Sequence, residues 1–399
     1  MKKNILFITP LFEEDSSAGI AERAFIESVA AGGHSVTIVC IKGQSLLTCN
    51  NCKVYRIKEK KIIYYFSRIL QKINCSDWIL TPDYYRYSWS FQAFQTIKKL
   101  CKCNSFDIVH SISFPCSSHL LANKVKKQFG IPWVAHFMDP WVGNPVRNIK
   151  SQRWKDYDES NEKKVVNNAD IILHTNNIII EDWKSRYQGD VKDKIFQLSL
   201  INTWHPTVIN QSGVGSIVTI THIGTLHAGR TARPILRALK IVNDKYPNLS
   251  SLLQVLFIGG FLEGDIEATQ KNGLIDVVKW LGRLPEKECE RYYVNTDLLL
   301  AIDCSYKYDF FYPSKILKYF SSQHPILGLV SGDNTVLAKE MKSSRNTAIN
   351  LRDTEAIAKF IIGVIEKKVD LSGFDKDYWK NYTPDSVLER YNELLSFVL

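Results

Sequence analysis

The chain has 399 residues, a hydrophobic fraction of 45% and a formal net charge of +10. Because a single core seldom serves more than roughly 250 residues, this length predicts two domains. No apolar run approaches the roughly 20 residues of a membrane span, and the apolar stretch after the first three residues is too short for a secretory signal. We therefore expect a cytoplasmic protein. The positive charge favours an anionic partner, which could be nucleic acid, a phosphorylated small molecule or an acidic membrane surface.

The chain opens with the order strand, small-residue loop, helix, strand, which is typical of a doubly wound α/β fold. The two strands are predicted over residues 5–9 and 35–41, and the helix between them ends near Ala31. The loop has no G-x-G-x-x-G, which argues against a nicotinamide dinucleotide at the first turn. Gly19 at the helix start could still admit a ligand or an acceptor close to the backbone.

A basic and aromatic segment follows the third predicted strand, over residues 58–89, with helices predicted over 61–73 and 88–102. Such a mixture suits the headgroup level of an anionic membrane, and we expect peripheral membrane contact there. An ordinary domain surface with inward-facing aromatics is the alternative. The same residue types can bind single-stranded nucleic acid, but no recognisable motif accompanies them, so we expect no nucleic acid partner.

Two further predicted strands end in histidine. His110 ends the strand over residues 106–110, and His136 ends the strand over 132–136, with Asp139 three residues later. The carboxyl ends of parallel strands form the ligand-binding edge of an open sheet. A structural role is favoured for His110, whereas the closeness of His136 and Asp139 at one strand end favours a functional role for that pair.

The nine cysteines are expected to be mostly reduced and buried. Cys49 and Cys52 form a C-x-x-C, and Cys101 and Cys103 follow later. This spacing matches no common zinc pattern, so no metal site is predicted.

A turn-rich stretch over residues 202–216 is the predicted domain linker, after which strands and crossover helices begin again. A glycine-bearing loop from Gly224 to Arg230 follows the strand predicted over 217–223. Its glycines let a ligand approach the backbone, and Arg230 suits a bidentate contact to phosphate. A structural arginine is the alternative.

The sequence Pro313-Ser314-Lys315 predicts the start of a helix, because proline fits a first helical turn and serine can cap the exposed N–H groups. A buried strand predicted over residues 325–330 places this helix start at the carboxyl edge of a second sheet. Free N–H groups, the helix dipole and Lys315 would together suit a diphosphate. An ordinary crossover helix with a surface lysine is the alternative.

The order of these motifs resembles glycosyltransferase family 4, whose members are retaining sugar-nucleotide transferases of the GT-B fold. The resemblance covers nearly the whole chain, and its motifs are weak singly but fairly specific in their order. The residues that carry it are Ala18-Gly19-Ile20, Gly33-His34-Ser35-Val36-Thr37, Asp107-Ile108-Val109-His110, Gly224-Thr225-Leu226 with Arg230, Leu256-Phe257-Ile258-Gly259, Trp280-Leu281-Gly282-Arg283-Leu284, Pro313-Ser314-Lys315-Ile316-Leu317-Lys318-Tyr319 and Pro325-Ile326-Leu327.

The resemblance implies an α/β protein of GT-B architecture, with two doubly wound Rossmann-like domains facing across a cleft. Residues 1–205 would be the N-terminal, acceptor-binding domain and residues 206–375 the C-terminal, nucleotide-sugar-binding domain. Residues 376–399 would form a C-terminal helix that packs back on the N-terminal domain.

The resemblance also implies roles for single residues. Arg230 and Lys315 would hold the donor diphosphate, with help from the amides of Ser314 and Lys315, and the backbone around Gly282 and Arg283 would face the nucleobase. The whole predicted donor site consists of Gly224, Arg230, Gly282, Arg283, Pro313, Ser314, Lys315 and Lys318.

On the acceptor side, the resemblance implies that Gly19 and His110 line the cleft. His136 and Asp139 would lie near the transferred sugar and are the predicted catalytic residues. Retaining enzymes of this fold lack an agreed protein nucleophile, so attack by the acceptor hydroxyl on the same face as the departing diphosphate is favoured.

Lys318 departs from the family pattern. Family members usually carry a glutamate there, which accepts hydrogen bonds from ribose hydroxyls, whereas an ammonium can only donate. The upstream acid of the usual pair is also missing, since Phe310 holds its position and Asp309 is the nearest acid. This departure predicts either a different way of holding ribose or weakened donor binding.

The predicted activity is therefore transfer of a sugar, with retention, from a nucleotide-diphosphate donor to a lipid-linked or envelope polysaccharide acceptor, as in lipopolysaccharide or capsule assembly. A UDP-sugar is the favoured donor, and neither a cofactor nor a metal is predicted. A sugar-nucleotide epimerase and a non-catalytic GT-B scaffold of a polysaccharide complex are the alternatives. A solute-binding protein would need a signal peptide, which the sequence lacks.

Overall fold

Two parallel β-sheets with connecting helices make up the chain in the computed structural model. The structure describes residues 2–14, 16–43, 49–60, 62, 65–66, 69, 88–144, 149, 151–187, 189–206, 217–227, 229–304 and 312–398. The chain divides into a first unit, Met1–Thr203 with Asn381–Leu399, and a second unit, Trp204–Lys380. The sequence predicts its domain boundaries after residues 205 and 375.

The strands of the described residues are short and mostly apolar. They are β1 (Asn4–Ile8), β2 (Ser35–Ile41), β3 (Cys52–Ile57), β4 (Ile108–Ser113), β5 (Trp133–Phe137), β6 (Ile171–His174), β7 (Ile195–Gln197), β8 (Val218–Ile223), β9 (Leu253–Ile258), β10 (Val278–Gly282), β11 (Leu298–Ile302), β12 (Ile326–Val330) and β13 (Thr347–Asn350).

Helices connect most of these strands. Within the described residues the α-helices are α1 (Ser17–Ala31), α2 (Ser90–Cys103), α3 (Ser117–Phe129), α4 (Gln152–Asn168), α5 (Asn177–Arg186), α6 (Arg233–Lys245), α7 (Glu263–Lys271), α8 (Glu286–Val294), α9 (Ile316–Ser322), α10 (Val336–Ser343), α11 (Thr354–Ile365) and α12 (Pro384–Leu395). None of them is long and apolar enough to cross a membrane.

Both sheets are parallel throughout their described pairs. The first has the order β3-β2-β1-β4-β5-β6-β7 and the second the order β10-β9-β8-β11-β12-β13. Central strands such as β4 and β11 are buried along their whole length, as expected for parallel strands covered on both faces. In each sheet the strand order reverses beside the first strand, which is the arrangement of a doubly wound fold. The predicted fold class is confirmed.

Local sequence signals explain where several helices begin. The Ser16 side chain accepts a hydrogen bond from the Gly19 N–H at the start of α1, and Thr383 caps α12 in the same way, with Pro384 in its first turn. Each serves one of the N–H groups that a helix start leaves without an intrahelical partner.

The C-terminal helix α12 belongs to the first unit and packs on α1 and β4. The Leu388 side chain lies so close to Gly32 that a Cβ there would overlap it. Asn392 Oδ1 lies 2.9 Å from His34 Nε2, and the Tyr391 hydroxyl lies 2.8 Å from His110 Nδ1. Apolar contacts and buried polar contacts therefore both hold this helix on the first unit.

The expectation of mostly reduced cysteines needs one correction, because Cys49 and Cys52 are joined by a disulfide. The turn at Asn50 and Asn51 brings their Cα atoms to 5.2 Å, within the range a disulfide requires. Six described cysteines are reduced thiols, namely Cys40, Cys101, Cys103, Cys116, Cys289 and Cys304.

Candidate functional site

The candidate site lies where strand order reverses in the second sheet, between β8 and β11. Their described ladder pairs Leu298 with Ile220 and Leu299 with Thr221. At the next position the Leu300 carbonyl oxygen has a side-chain partner, His222 Nδ1, at 2.9 Å. This reversal point is where open α/β sheets form a ligand crevice.

Tyr319 of α9 completes the end of the β8–β11 ladder. Its buried hydroxyl accepts a hydrogen bond from the Ile223 N–H at 2.8 Å and lies 3.3 Å from the carbonyl oxygens of both Ile223 and Leu300. The tyrosine thus ties α9 to the carboxyl ends of both strands. Because Lys315 precedes Tyr319 by about one helical turn, the same contact holds Lys315 near this edge.

Glycines allow the loops at this edge to pack backbone against backbone. Gly259 has φ of +127°, and a Cβ there would overlap the carbonyl oxygen of Gly224. A Cβ on Gly260 would lie 2.8 Å from the Thr225 side chain and 3.5 Å from the guanidinium of Arg283. These contacts bring the loops after β8 and β9 together and place Arg283 beside them.

Four cationic side chains lie at or beside this edge. Arg230 follows β8, and Arg283 follows β10. Lys315 lies in the turn before α9, and Lys318 lies in α9. Lys315 is exposed as a whole, but the protein atoms around its ammonium lower its pKa by desolvation; Glu286 raises this pKa, and the charges of Lys318 and Arg283 lower it further. The side chains of Lys315, Lys318, Arg283 and Glu286 therefore lie close enough for their charges to act on Lys315.

His222 is the buried neighbour of these cations. It is 6% exposed, and burial lowers its pKa to about 4. The charges of Lys315 and Arg230 also lower this pKa, while the bond to Leu300 opposes the shift. The charges of Arg230 and Lys315, which the sequence predicts to act on one ligand, therefore both reach one imidazole ring.

The start of α9 differs from the sequence prediction. The helix begins at Ile316, and Pro313, Ser314 and Lys315 form a turn in which the Ile316 N–H donates to the Pro313 carbonyl at 2.8 Å. Lys315 holds the N-cap position without a side-chain capping bond, so Ser314 does not cap the helix as predicted. Ser314 and Lys315 are both exposed.

Lys318 is paired with an acid. Its ammonium forms an ion pair with the carboxylate of Glu286 in α8. A carboxylate therefore lies beside residue 318, although residue 318 itself is a lysine. The family pattern also differs at Asp309 and Phe310, and both residues lie outside the described part of the chain.

The predicted residues of the first unit are mostly buried in its core. His110 is fully buried, with Nδ1 2.8 Å from the Tyr391 hydroxyl and Nε2 3.4 Å from His136 Nδ1. His136 is 2% exposed and packs against Phe25, with ring centroids 5.3 Å apart. Burial lowers the pKa of both histidines, that of His136 to about 3, so both rings are neutral at pH 7.

Asp139 lies just past the end of β5 and is partly exposed. Its surroundings nevertheless raise its pKa to about 6 by desolvation. At Gly19, a Cβ would lie 2.7 Å from the Leu11 carbonyl oxygen and would overlap that of Glu14. Packing of the chain on itself explains this glycine, and acceptor contact by Gly19 stays a prediction.

Sequence reasoning missed several residues of this site. His222, Tyr319, Gly260 and Glu286 are placed there by the fold. A signal for His222 was present, since a histidine inside a buried strand two residues before a glycine loop needs a polar partner. Nothing local in the sequence indicated the pairing of Glu286 with Lys318, which lies 32 residues away.

Two surface cavities belong to the first unit and contain no predicted site residue. One, of about 470 Å³, lies among α5, β7 and α12, with Lys184 and Arg390 in its lining. The other, of about 560 Å³, lies beside Lys3 and His34 at the amino end of the sheet. Among the described residues, no group of three or more histidine, cysteine or acidic side chains could hold a metal ion.

No protein-family model and no curated protein matches the sequence. Solved structures do match over nearly its whole length. Anabaena HepE, solved in complex with UDP, is 12% identical and superposes with a TM-score of 0.66 over 98% of this chain and 99% of its own. The lipopolysaccharide outer core galactosyltransferase WaaB, in its apo form, is 14% identical, with a TM-score of 0.64 over 99% and 100% of the two chains.

A third match is a mutant of Staphylococcus aureus TarM in complex with fondaparinux, alpha-GlcNAc-glycerol and UDP. It is 10% identical, with a TM-score of 0.60 over 100% of both chains. The chain has the GT-B fold. At these identities the likeness establishes the fold alone, and membership of glycosyltransferase family 4 stays a prediction.

Proposed function

We propose that this protein is a glycosyltransferase that moves a sugar from a nucleotide-diphosphate donor to an acceptor hydroxyl. The observation that carries the proposal is that the charges of Arg230 and Lys315 both lower the pKa of one buried ring, that of His222, where strand order reverses in the second sheet. Two cations at such a crevice suit a diphosphate, because guanidinium and ammonium groups are strong donors to phosphate oxygens. Arg283 adds a third cation near Gly260.

The cations would act mainly on the leaving group. Cleavage of the sugar–phosphate bond concentrates negative charge on the departing diphosphate, and cations held in place beforehand stabilise that charge more in the transition state than in the ground state. In this proposal Arg230 and Lys315 bind the diphosphate, and the backbone near Gly282 and Arg283 faces the base. UDP is the favoured nucleotide, which agrees with the UDP complexes of HepE and TarM.

On the acceptor side, His136 and Asp139 remain the residues proposed to lie near the transferred sugar. The burial of His136 favours a supporting role, because its ring packs inside the core. The raised pKa of Asp139 suits a group that exchanges protons near neutral pH. Retention through attack on the same face, without a metal or cofactor, completes the mechanism that we propose.

We propose further that the acceptor is lipid-linked and that the first unit docks on an anionic membrane. Four helical residues, Ile62, Tyr65, Phe66 and Ile69, follow an i, i+3, i+4, i+7 spacing and are 75%, 61%, 50% and 58% exposed. Such spacing forms one apolar stripe on a helix. Exposed Lys58 and Lys60 precede the stripe, and apolar and basic residues together suit the interface of an anionic bilayer.

The donor proposal is tested by measuring thermal unfolding with a panel of nucleotide sugars, because a ligand that binds only the native state raises its stability. The stabilising donor is then used to compare wild type with Arg230→Ala and Lys315→Ala. Turnover, including slow hydrolysis of donor without acceptor, should fall at least about tenfold, the factor that corresponds to 1.4 kcal/mol. Arg237→Ala and Lys359→Ala remove exposed charges from α6 and α11 of the same unit and should leave turnover unchanged.

The outcomes separate this proposal from its rivals. Turnover that survives both site variants would exclude the proposed role of the two cations. An altered sugar nucleotide formed from donor alone would identify an epimerase, and donor binding without transfer or hydrolysis would identify a non-catalytic scaffold.

The membrane proposal is tested by flotation with phosphatidylglycerol-containing vesicles. The double variant Ile62→Ser with Phe66→Ser should no longer bind these vesicles.

A further inference from the structure

The two ring nitrogens of His222 have different surroundings. Nδ1 lies 2.9 Å from the Leu300 carbonyl oxygen. A carbonyl only accepts, so Nδ1 carries the hydrogen and Nε2 is unprotonated in the neutral ring. Within the described part of the chain, Nε2 has no hydrogen-bond partner although it is buried. Buried polar atoms are normally paired, so this one calls for an explanation.

Nε2 lies against Gly224. A Cβ on that residue would be 2.9 Å from Nε2 and 3.3 Å from the neighbouring ring carbon. A side chain at position 224 would therefore cover the nitrogen or displace the ring. Because glycine has no side chain, no Cβ lies between this nitrogen and a ligand that binds against the loop.

The surroundings of the ring are cationic or uncharged. The loop after β8 supplies Arg230, and the α9 segment supplies Lys315 and the neutral hydroxyl of Tyr319. From β9 comes the Phe257 ring, 5.7 Å away between centroids. No acid is among these described neighbours, and burial together with the two positive charges keeps the ring neutral at pH 7.

We propose that His222 is a proton-linked phosphate-binding residue. When a diphosphate binds beside Arg230 and Lys315, its negative charge makes protonation of the ring favourable. The ring then takes one proton from water at Nε2, and the new N–H donates a hydrogen bond to a phosphate oxygen beside Gly224. Nδ1 keeps its bond to Leu300, so the ring need not turn. This inference rests on the proposed function, since it requires that the second unit binds a diphosphate.

The sign of the pH dependence follows from linkage. A complex that holds one more proton than the free protein forms more readily as the pH falls. The diphosphate of a nucleotide sugar is esterified at both ends and keeps its two charges through this pH range. If the affinity for UDP-glucose changes with pH below pH 7, the proton must therefore be taken up by the protein and not by the ligand.

Histidine NMR tests the proton directly. The chain has nine histidines, so a sample labelled with ¹³C only at histidine gives few ring signals. The His222 signal is the one missing from His222→Asn, a change that keeps a side-chain N–H near the Leu300 carbonyl and removes Nε2. At pH 6, saturation with UDP-glucose should move this signal from the neutral to the imidazolium position.

Affinity supplies a second measurement. Calorimetry should show that His222→Asn binds UDP-glucose about tenfold more weakly than wild type at pH 6 and within about twofold at pH 8. A tenfold effect is expected when the pKa of the ring in the complex lies about one unit above the pH of the measurement. A His222 signal that stays neutral in the saturated wild-type complex would overturn the inference. If the variant does not fold, the absence of any histidine signal that moves to the imidazolium position on saturation would overturn it equally. So would equal pH dependence in both proteins. If wild type binds neither UDP nor UDP-glucose, the proposed function and this inference fail together.

Discussion

Lys318 and Glu286 form an ion pair between α9 and α8, although the two residues are 32 positions apart in the chain. The side chain of Lys318 is 26% exposed and that of Glu286 is 65% exposed. The same carboxylate raises the pKa of Lys315 and so opposes the desolvation that lowers it. One acid thus partly neutralises two of the cations at the proposed donor site.

Removing this acid should strengthen donor binding. Glu286→Gln leaves both lysines charged and uncompensated, so we expect UDP-glucose to bind roughly threefold more tightly at low ionic strength and about equally in roughly 0.5 M salt. Stability should change by less than about 1 kcal/mol, because the pair is partly solvated. Calorimetry at the two salt concentrations measures the effect. Glu290→Gln removes an exposed charge from the same helix and should change nothing; equal affinity in all three proteins at low salt would refute the expectation.

Gly259 should be intolerant of any side chain. Its φ of +127° is unfavourable for L residues, and a Cβ would overlap the Gly224 carbonyl oxygen. We expect Gly259→Ala to destabilise the protein by about 2 kcal/mol or more and to weaken UDP-glucose binding, since the Gly224 loop must shift. Urea unfolding and calorimetry measure the two effects. The control is Gly332→Ala, where a Cβ meets no atom within 4 Å; similar stability of the two variants would contradict the steric argument.

The sequence predicted most strands of the two sheets, because a buried parallel strand gives a continuous apolar run in the sequence. The structure has β2 over Ser35–Ile41, with the bounds that the sequence predicts. Such runs occur because both faces of the strand are buried. Helix α7, helix α10 and edge strand β13 were not predicted. In β13 half-buried residues alternate with exposed ones, so its apolar signal is weak.

The site was less predictable because its contacts join distant parts of the chain. Arg230 and Lys315 could be proposed from their places beside a glycine loop and a proline turn. His222 Nδ1 and its partner Leu300 are 78 residues apart, and Tyr319 and Ile223 are 96 apart. No local pattern encodes such pairs. The helix start at Pro313 was predicted wrongly, since the turn before α9 uses i to i−3 bonds that a proline signal cannot distinguish from a first helical turn.

The buried His119 should make stability depend on pH. Burial lowers its pKa to about 3, with a further contribution from His136, and its ring lies 4.1 Å from that of Phe137 between centroids. Below pH 6.5 the unfolded chain takes up a proton that the folded protein does not, so stability falls as the pH drops from 6.5 toward 3. One histidine contributes up to about 1.4 kcal/mol per pH unit in this window. His119→Gln, which cannot be protonated, should show a shallower fall in urea unfolding between pH 6.5 and 5; an unchanged slope would exclude this contribution.

Glu22 should have the opposite dependence. This residue of α1 is fully buried, its carboxyl is hydrogen-bonded to the Thr9 hydroxyl, and Oε1 has no partner among the described residues. Burial raises its pKa to about 8, so the folded protein holds a proton that the unfolded chain has lost above pH 4.5. Stability must then fall as the pH rises from 4.5 to 8, by up to about 1.4 kcal/mol per unit.

The matched change is Glu22→Gln, which replaces a neutral acid by a neutral amide of nearly the same shape. We expect the variant to resemble wild type near pH 5 and to become progressively more stable than wild type toward pH 8. Urea unfolding at pH 5, 6.5 and 8 gives the difference in unfolding free energy at each pH. If the two curves stay parallel across this range, the carboxyl of Glu22 is not protonated in the folded protein, and an ionised acid must then lie beneath the edge of the first sheet.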